Sequence, residues 1–279
     1  MNDSRPTRTV YGRGVSLDRF PLGEGIYACI AVLRETRGAR RSAMSSGLDI
    51  GVQLQGSLAQ RAHRGGGHVY AGGTFHVLHP GEAYDCAYDA GARASVTVWF
   101  SATESVAGSA TDDRELVFTE QSPQRDRALL ELAHGVYRAR VDSTPLPAGA
   151  CSEIQAFLRR RCTLSAPTRL ATVRRELERY ASHELYVGYF AEQARMHPVA
   201  FTRAFSRRYG MSPIRYRTSL RLNEAARVAW ARPELSVADI AAQCGFTHLS
   251  YYYRQFASYF GTTPVVHRRN GIGQQAPVF

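Results

Sequence analysis

Hydrophobic and polar positions alternate along the first hundred residues and then change period. Between Gly25 and Phe100 the runs IYACIAVL, LDIGVQLQG, HVYAGGTFHVLHPGEAYDCAY and ASVTVWFSA are broken by glycine-rich stretches at Arg64–Gly67, at Gly72 and Gly73, and at Gly91. Two-residue alternation is plainest at Leu48, Ile50, Val52 and Leu54 and again at Val96, Val98 and Phe100, which predicts strands with one buried face. Many short strands at turn-rich spacing predict a small sandwich or barrel. Residues 1–14 are polar and predict a loose lead-in. From Ser122 to Leu164 the period becomes helical: Leu129, Leu132, Ala133 and Val136 form one stripe, Ile154, Phe157 and Leu158 another, with DSTPLPAG between them. Such stripes are ordinarily intramolecular core. The short polar segment Ser165–Thr168 then leads into Leu170–Ala181, a helix by the spacing of Leu170, Val173, Leu177 and Tyr180, with its arginines on a solvated face.

A repeat follows. Phe190–Pro213 (FAEQARMHPVAFTRAFSRRYGMSP) returns as Ile240–Pro264 (IAAQCGFTHLSYYYRQFASYFGTTP). Ala191 and Gln193 pair with Ala241 and Gln243; after one inserted residue, Arg203, Phe205, Gly210 and Pro213 pair with Arg254, Phe256, Gly261 and Pro264. Recurrence over this length implies two copies of one structural unit. Each copy reads as a short helix, a tight turn and a second helix stopped by a glycine, the plan of a helix-turn-helix. Phe201 and Phe205, and Tyr252 and Phe256, lie four apart and face inward. Val199, Thr202 and Arg203 then face outward in one copy, and Ser250, Tyr253 and Arg254 in the other. Between the copies, Ile214–Ala231 lacks Gly and Pro and is stopped by Pro233. At ~1.5 Å per residue this helix is roughly 27 Å long, comparable with the ~34 Å between successive major-groove openings on one DNA face.

Charge supports a polyanion partner. All 35 basic residues are arginine, against 24 acidic residues, for a net +11. From Thr168 onward there are 16 Arg against 7 Asp plus Glu, a net +9, which leaves +2 for the first 167 residues. A basic module carrying a repeated helix-turn-helix has the footprint of a nucleic-acid binder. The five cysteines, Cys29, Cys86, Cys151, Cys162 and Cys244, form no CxxC pair and indicate neither a disulfide framework nor a zinc knuckle. The first residues, MNDSRPTRTVYGRG, lack the apolar core of a signal peptide and no run reaches membrane-spanning length, so a cytoplasmic protein away from membranes is expected.

These residues carry a resemblance. From about Ala171 to Arg269 the chain resembles the DNA-binding domain of the AraC/XylS family of bacterial transcription regulators, through Ala191, Phe201, Arg203, Phe205, Gly210, Pro213, Arg221 and Ala225, then Ile240, Ala241, Gly245, Phe246, Arg254, Phe256, Gly261 and Pro264. It departs at Arg195, where glycine is frequent in the family, at His197 and His248, where a Ser or Asp cap is usual, and at His267, where the closing motif usually has Tyr. Two readings of double-stranded DNA are implied. The expected contacts are Pro198, Val199, Thr202, Arg203 and Arg207 from the first copy and Leu249, Ser250, Tyr253 and Arg254 from the second. Arg203 and Arg254 suit guanine or phosphate, because a guanidinium matches N7 and O6 bidentately. Helices at 122–164 pair two subunits in the family, so a homodimer is implied. The family's commoner mode, activation, further implies contact with RNA polymerase.

The piece Gly72–Tyr84 (GGTFHVLHPGEAY) is similar to a region of the cupin-type sensor domains that precede such modules. That resemblance implies a small-molecule effector inside the barrel, with His76, His79, Tyr84 and Trp99 as candidate lining residues. The expected fold class is thus α+β with two domains: a cupin-like β-barrel or sandwich over 1–120, a helical linker over 121–167, and an all-α DNA-binding domain over 168–279 with helix-turn-helix units at 185–210 and 236–261. The competing reading is a metal-dependent cupin enzyme or metal sensor fused to the DNA-binding module. His63, His68, His76, His79 and Glu82 supply metal-ligating types, but there is no HxH pair, and His76 and His79, three apart on a strand, face opposite ways. With no paired carboxylates, nucleophile elbow or phosphate loop either, no catalytic residue, metal or cofactor is expected. A front domain that binds another protein instead of a ligand is a third possibility.

Overall fold

A computed structural model of the chain describes residues 7–10, 15–23, 25–34, 40–44, 48–62, 67–80, 83–88, 94–102, 115–118, 124–166 and 168–271. The N-terminal part is built from antiparallel sheets. Strands β1 (Thr7–Val10), β2 (Val15–Gly23), β3 (Ile26–Arg34), β5 (Leu48–Gln55), β8 (Thr74–Leu78) and β10 (Ala94–Ala102) form one sheet in the order β1-β2-β3-β10-β5-β8. A second sheet runs β4-β9-β6-β7, from β4 (Arg40–Met44), β6 (Ser57–Ala62), β7 (Gly67–Ala71) and β9 (Ala83–Tyr88). Thr7–Val10, expected to be loose, is a strand because its backbone pairs in register with Ser16–Arg19 of β2.

Alternation along the large sheet sends Ile26, Ala28, Ile30, Leu48, Ile50, Val52, Val96, Val98 and Phe100 to one face. Helices α1 (Arg127–Val141) and α2 (Ala150–Arg161) cover that face, inserting Leu129, Leu132, Ala133 and Val136 from α1 and Ile154, Phe157 and Leu158 from α2 into the same core. Both predicted stripes are therefore spent inside the chain, and the helical stretch is a layer of the N-terminal unit. After α2 the chain does not pass straight into a polar linker. Cys162–Ser165 forms β12, which pairs with β11 (Glu115–Phe118). The opposite face of the large sheet looks toward the four-stranded sheet, where Trp99 of β10 packs on Leu58 of β6 and Tyr70 of β7.

The C-terminal part is all helix: α3 (Arg169–Arg179), α4 (Val187–Gln193), α5 (Pro198–Tyr209), α6 (Pro213–Ala231), α7 (Val237–Gln243), α8 (Leu249–Phe260) and α9 (Pro264–Gly271). It has two cores. The first gathers Val173, Leu177, Phe190, Phe201, Phe205, Tyr209 and Tyr216; the second gathers Leu222, Ala225, Ala226, Ile240, Ala241, Phe246, Tyr252 and Phe256. Packing repeats as the sequence does: α3 touches α4, α5 and α6 in the first unit as α6 touches α7, α8 and α9 in the second. Helix α6, about 28 Å long at ~1.5 Å per residue, thus closes one unit and opens the next.

Candidate nucleic-acid interface and sensor interior

Helices α5 and α8 are set by the same devices. Each ends at a left-handed glycine, Gly210 with φ 77° and Gly261 with φ 69°. Each is pinned by an aromatic triad at repeat-equivalent positions: Phe205 lies 4.6 Å from Tyr209 and 5.4 Å from Tyr216, and Phe256 lies 4.5 Å from Phe260 and 5.3 Å from His267. His267 thus fills the aromatic place that Tyr216 holds in the first copy. A second repeated bond joins the helix after each reading helix to the start of its unit: Arg217 of α6 donates to the Leu185 carbonyl, and Arg268 of α9 donates to the Leu235 carbonyl at 2.8 Å. The caps differ. Ser236 and Asp239 make a capping box on α7, while the His197 ring only accepts a long 3.4 Å bond from the Val199 amide and His248 caps nothing with its side chain.

With Phe201, Phe205 and Tyr209 buried, α5 exposes Pro198, Val199, Arg203 and Arg207. Thr202 is half-buried, and its hydroxyl already donates to the Pro198 carbonyl at 2.9 Å, so what it offers a base edge is its methyl group. On α8, Leu249, Ser250 and Arg254 are exposed, whereas Tyr253 is half-buried and leans on the second core. The exposed ring beside Arg254 is Tyr251, whose centroid lies 5.6 Å from the guanidinium carbon. Tyr251 is not among the contacts expected from the repeat; its spacing of three from Arg254 is the signal that points to it.

Two arginines behave unlike the rest of the basic surface. Arg174 of α3, expected on a solvated face, is 1% exposed and donates to Glu178 at 2.7 Å; Glu178 also accepts from the Tyr216 hydroxyl at 2.5 Å. Burial, followed by the Glu178 charge, raises the Tyr216 hydroxyl well above its ordinary range. Arg195 sits at φ 52°, in the left-handed region that glycine occupies without strain. Exchanging it for glycine is expected to raise stability by roughly 0.5–1 kcal/mol, since the left-handed cost exceeds glycine's entropy penalty. Urea unfolding of the two chains checks this, and equal or lower stability of Arg195→Gly would contradict it.

In the N-terminal unit, strand register lays His76, Gly51, Trp99 and Cys29 in one row across the large sheet, on the face away from the helices. His76 is fully buried, stacked at 4.0 Å on Tyr70 and edge-on at 4.8 Å to Trp99, and neither ring nitrogen has a hydrogen-bond partner among the described residues. Burial pulls its pKa down to about 3, so it is neutral at ordinary pH. Gly51 makes the room: a Cβ there would meet His76 Cε1 at 2.4 Å and Trp99 Cζ3 at 2.8 Å. One row along, buried Gln53 accepts from Thr97 and donates to Ser95, both at 2.7 Å. The structure therefore brings His76 and Trp99 together and adds Tyr70, Gln53 and Thr97, which only the strand register reveals. His79 lies just past β8, where its Nε2 accepts from the Phe118 amide at 3.2 Å, on the helix-covered side. Tyr84 is on β9, opposite Ala43 and Ala62, with its side chain outside the described set. His63 and Glu82, and the side chain of His68, lie outside the described residues as well. Among the described residues no three His, Cys, Asp or Glu side chains gather as a metal site, and no helix is long and apolar enough to cross a membrane. Burial pushes the thiols of Cys162 and Cys244 up to about 12, which leaves them poor nucleophiles.

Comparison with known proteins agrees with this architecture. Residues 190–270 match a family model described as a helix-turn-helix domain, and the C-terminal region carries such a domain of the AraC type. A stretch of 83 residues is 37% identical to the HTH-type transcriptional regulator Rv1931c of Mycobacterium tuberculosis, covering 30% of this chain and 32% of that protein. The chain thus spans about a third of the length of the curated relative it matches. Across nearly the whole chain the fold is that of ToxT from Vibrio cholerae, with a TM-score of 0.61 at 9% identity over 90% of this chain and 100% of the other. A ToxT structure with an unsaturated fatty acid bound gives a TM-score of 0.59 at 11% identity, covering 91% of this chain and 99% of that one. At such identities the likeness is one of fold: an N-terminal β-sheet domain followed by a helical helix-turn-helix domain.

Proposed function

We propose that the chain is a sequence-specific, DNA-binding transcription regulator whose N-terminal sheet domain senses a small molecule. The observation that carries the reading is the pair of reading helices: α5 and α8 expose the same repeat positions, Arg203 and Arg254 among them, on one strongly basic module and across one continuous helix. A guanidinium on an exposed helix face fits guanine in the major groove, Val199 and the Thr202 methyl fit thymine methyls, and Leu249, Ser250 and Arg254 with Tyr251 do the same work in the second unit. Pro198 and Arg207 flank the first helix where phosphates run.

The relative in M. tuberculosis is named a transcriptional regulator, which supports this role. That ToxT holds a fatty acid supports an effector in the N-terminal domain, where His76, Trp99, Tyr70, Gln53 and Thr97 are the polar and aromatic groups gathered between the sheets. The regulator acts in the cytoplasm, activates by contact with RNA polymerase, and works as a homodimer. Because the inner stripes of α1 and α2 are occupied by the sheet, pairing falls to their outward surface and the loop between them, where Val141 and Leu146 are exposed.

Footprinting on the DNA upstream of its own gene and on a random-sequence selection pool, at two salt concentrations, tests the reading. Two adjacent protected major-groove segments that weaken as salt rises are expected, because phosphate contacts release counterions. Arg203→Ala is expected to cost ~1–3 kcal/mol of binding and to relax sequence preference at one position. Unchanged affinity and footprint would take Arg203 off the reading face; no protection of any duplex by the full chain or by a fragment from Thr168 onward would sink the regulator.

A further inference from the structure

Arg221 sits on α6 between Leu220, which packs on the first helical core, and Leu222, which belongs to the second. Its guanidinium donates to three backbone carbonyls: Ala181 at 2.6 Å and His183 at 3.0 Å, both in the connection between α3 and α4, and Gly245 at 2.6 Å, in the turn between α7 and α8. One side chain therefore ties the first unit to the turn that aims the second reading helix. The two backbones are in close approach. A Cβ on Gly245 would lie 2.4 Å from the Ser182 carbonyl oxygen and 2.9 Å from Arg221 Cζ, and Gly245 itself has φ +84°. Arg221 is half-buried with the Arg217 charge nearby, so burial first and that like charge second lower its pKa, against the Glu184 charge.

The turn of the first copy is built differently: the position equivalent to Gly245 is Arg195. What the repeat duplicates builds each unit; what only one copy has belongs to the joint between them. The joint also reaches the reading surface, since the ring of Phe246, the residue after Gly245, lies 6.3 Å from that of Tyr251, and the Tyr251 ring lies 5.6 Å from the Arg254 guanidinium carbon. Resting on the DNA-binding reading above, we infer that Arg221 with Gly245 is a positioning clamp that sets the separation and tilt of α5 and α8, so that both engage one duplex at a fixed spacing. The planar five-donor fork is what the site uses, and neither methionine nor a point-charge lysine reproduces it.

The test uses the full chain and the tightest duplex that wild type selects from a random-sequence pool, together with that duplex with either protected segment scrambled, or with one or two base pairs inserted between segments. Arg221→Met is expected to bind the selected duplex at least about tenfold more weakly, since bipartite binding rests on effective concentration, and to bind each scrambled duplex within about twofold of wild type. Inserted base pairs should cost wild type much and the variant little. Where circular dichroism finds Arg221→Met unfolded, Arg221→Lys takes its place under the same criteria. A variant that keeps both affinity and spacing dependence overturns the clamp, as does one that loses affinity equally for selected and scrambled duplexes. A wild-type chain that enriches no duplex overturns the DNA-binding reading and the clamp with it, whereas a wild type that is indifferent to inserted base pairs overturns the clamp alone.

Discussion

Replacing Gly245 with alanine is expected to destabilise the C-terminal unit by roughly 2–5 kcal/mol, the sum of a left-handed backbone cost of ~1–2 kcal/mol and an overpacking cost of ~1–3 kcal/mol. The first part follows from φ +84°, which places any L side chain in strain. The second follows from the new Cβ meeting the Ser182 carbonyl oxygen at 2.4 Å, backbone against backbone, where no rotamer change gives relief. Gly261 supplies the comparison: at φ +69° but with nothing within 4 Å of its would-be Cβ, its alanine variant should show only the backbone cost of ~1–2 kcal/mol. Urea unfolding followed by far-ultraviolet dichroism measures both. Gly245→Ala no worse than Gly261→Ala would mean that the two segments yield freely and that the close approach has no energetic weight.

Acid should weaken the N-terminal unit through His76. The buried ring has a pKa of about 3 against 6.5 for an unhindered histidine, so the folded state resists a proton that the unfolded chain takes up readily. Stability is fully present above pH 6.5 and is lost as pH falls toward 3, because in that window the unfolded state binds more protons. Between pH 6.5 and 4.5 the loss is on the order of 2–3 kcal/mol from this residue. Geometry gives the reason. One ring face is taken by Tyr70, an edge by Trp99, and among the described residues neither nitrogen meets an acceptor that would share a positive charge. His76→Leu removes the titration while leaving carboxylates such as Asp49 on the same strand face, so the two chains should differ in slope across this window and converge below it. Identical slopes of stability against pH would show that the ring takes its proton without penalty.

Much of this was legible in the residues. The period-2 runs at 48–54 and 96–100 became β5 and β10 with the predicted faces buried, and the repeat gave both helix-turn-helix units, their inward aromatics and most of their outward sets. Local pattern sufficed there because each side chain's fate depended on neighbours three or four residues away. It failed where partners are remote. Thr7–Val10 is a strand through pairing with β2, and Cys162–Ser165 is one through pairing with β11. Arg174 looked like any surface arginine because its counter-charge network includes Tyr216, more than forty positions on. The Tyr70, His76, Trp99 and Gly51 cluster spans four strands and two sheets, so pattern alone nominates only His76 and Trp99 of it. On the reading face, Tyr251 and Tyr253 are two residues apart on one helix, and which of them stays exposed beside Arg254 and which is half-buried against Tyr252 was decided by tertiary packing.

The repeat is not a pair of separable copies. Helix α6 belongs to both cores, serving the second unit as α3 serves the first and the first as α9 serves the second. Such an overlap makes the module a three-beam frame with one beam in common. A substitution on the shared beam is counted twice, once in each half, while one on α3 or α9 is counted once. Divergence of the two reading helices can therefore proceed freely at their exposed positions, letting each half acquire its own base preference, but the halves cannot be exchanged, lengthened or excised without rebuilding the helix they jointly own.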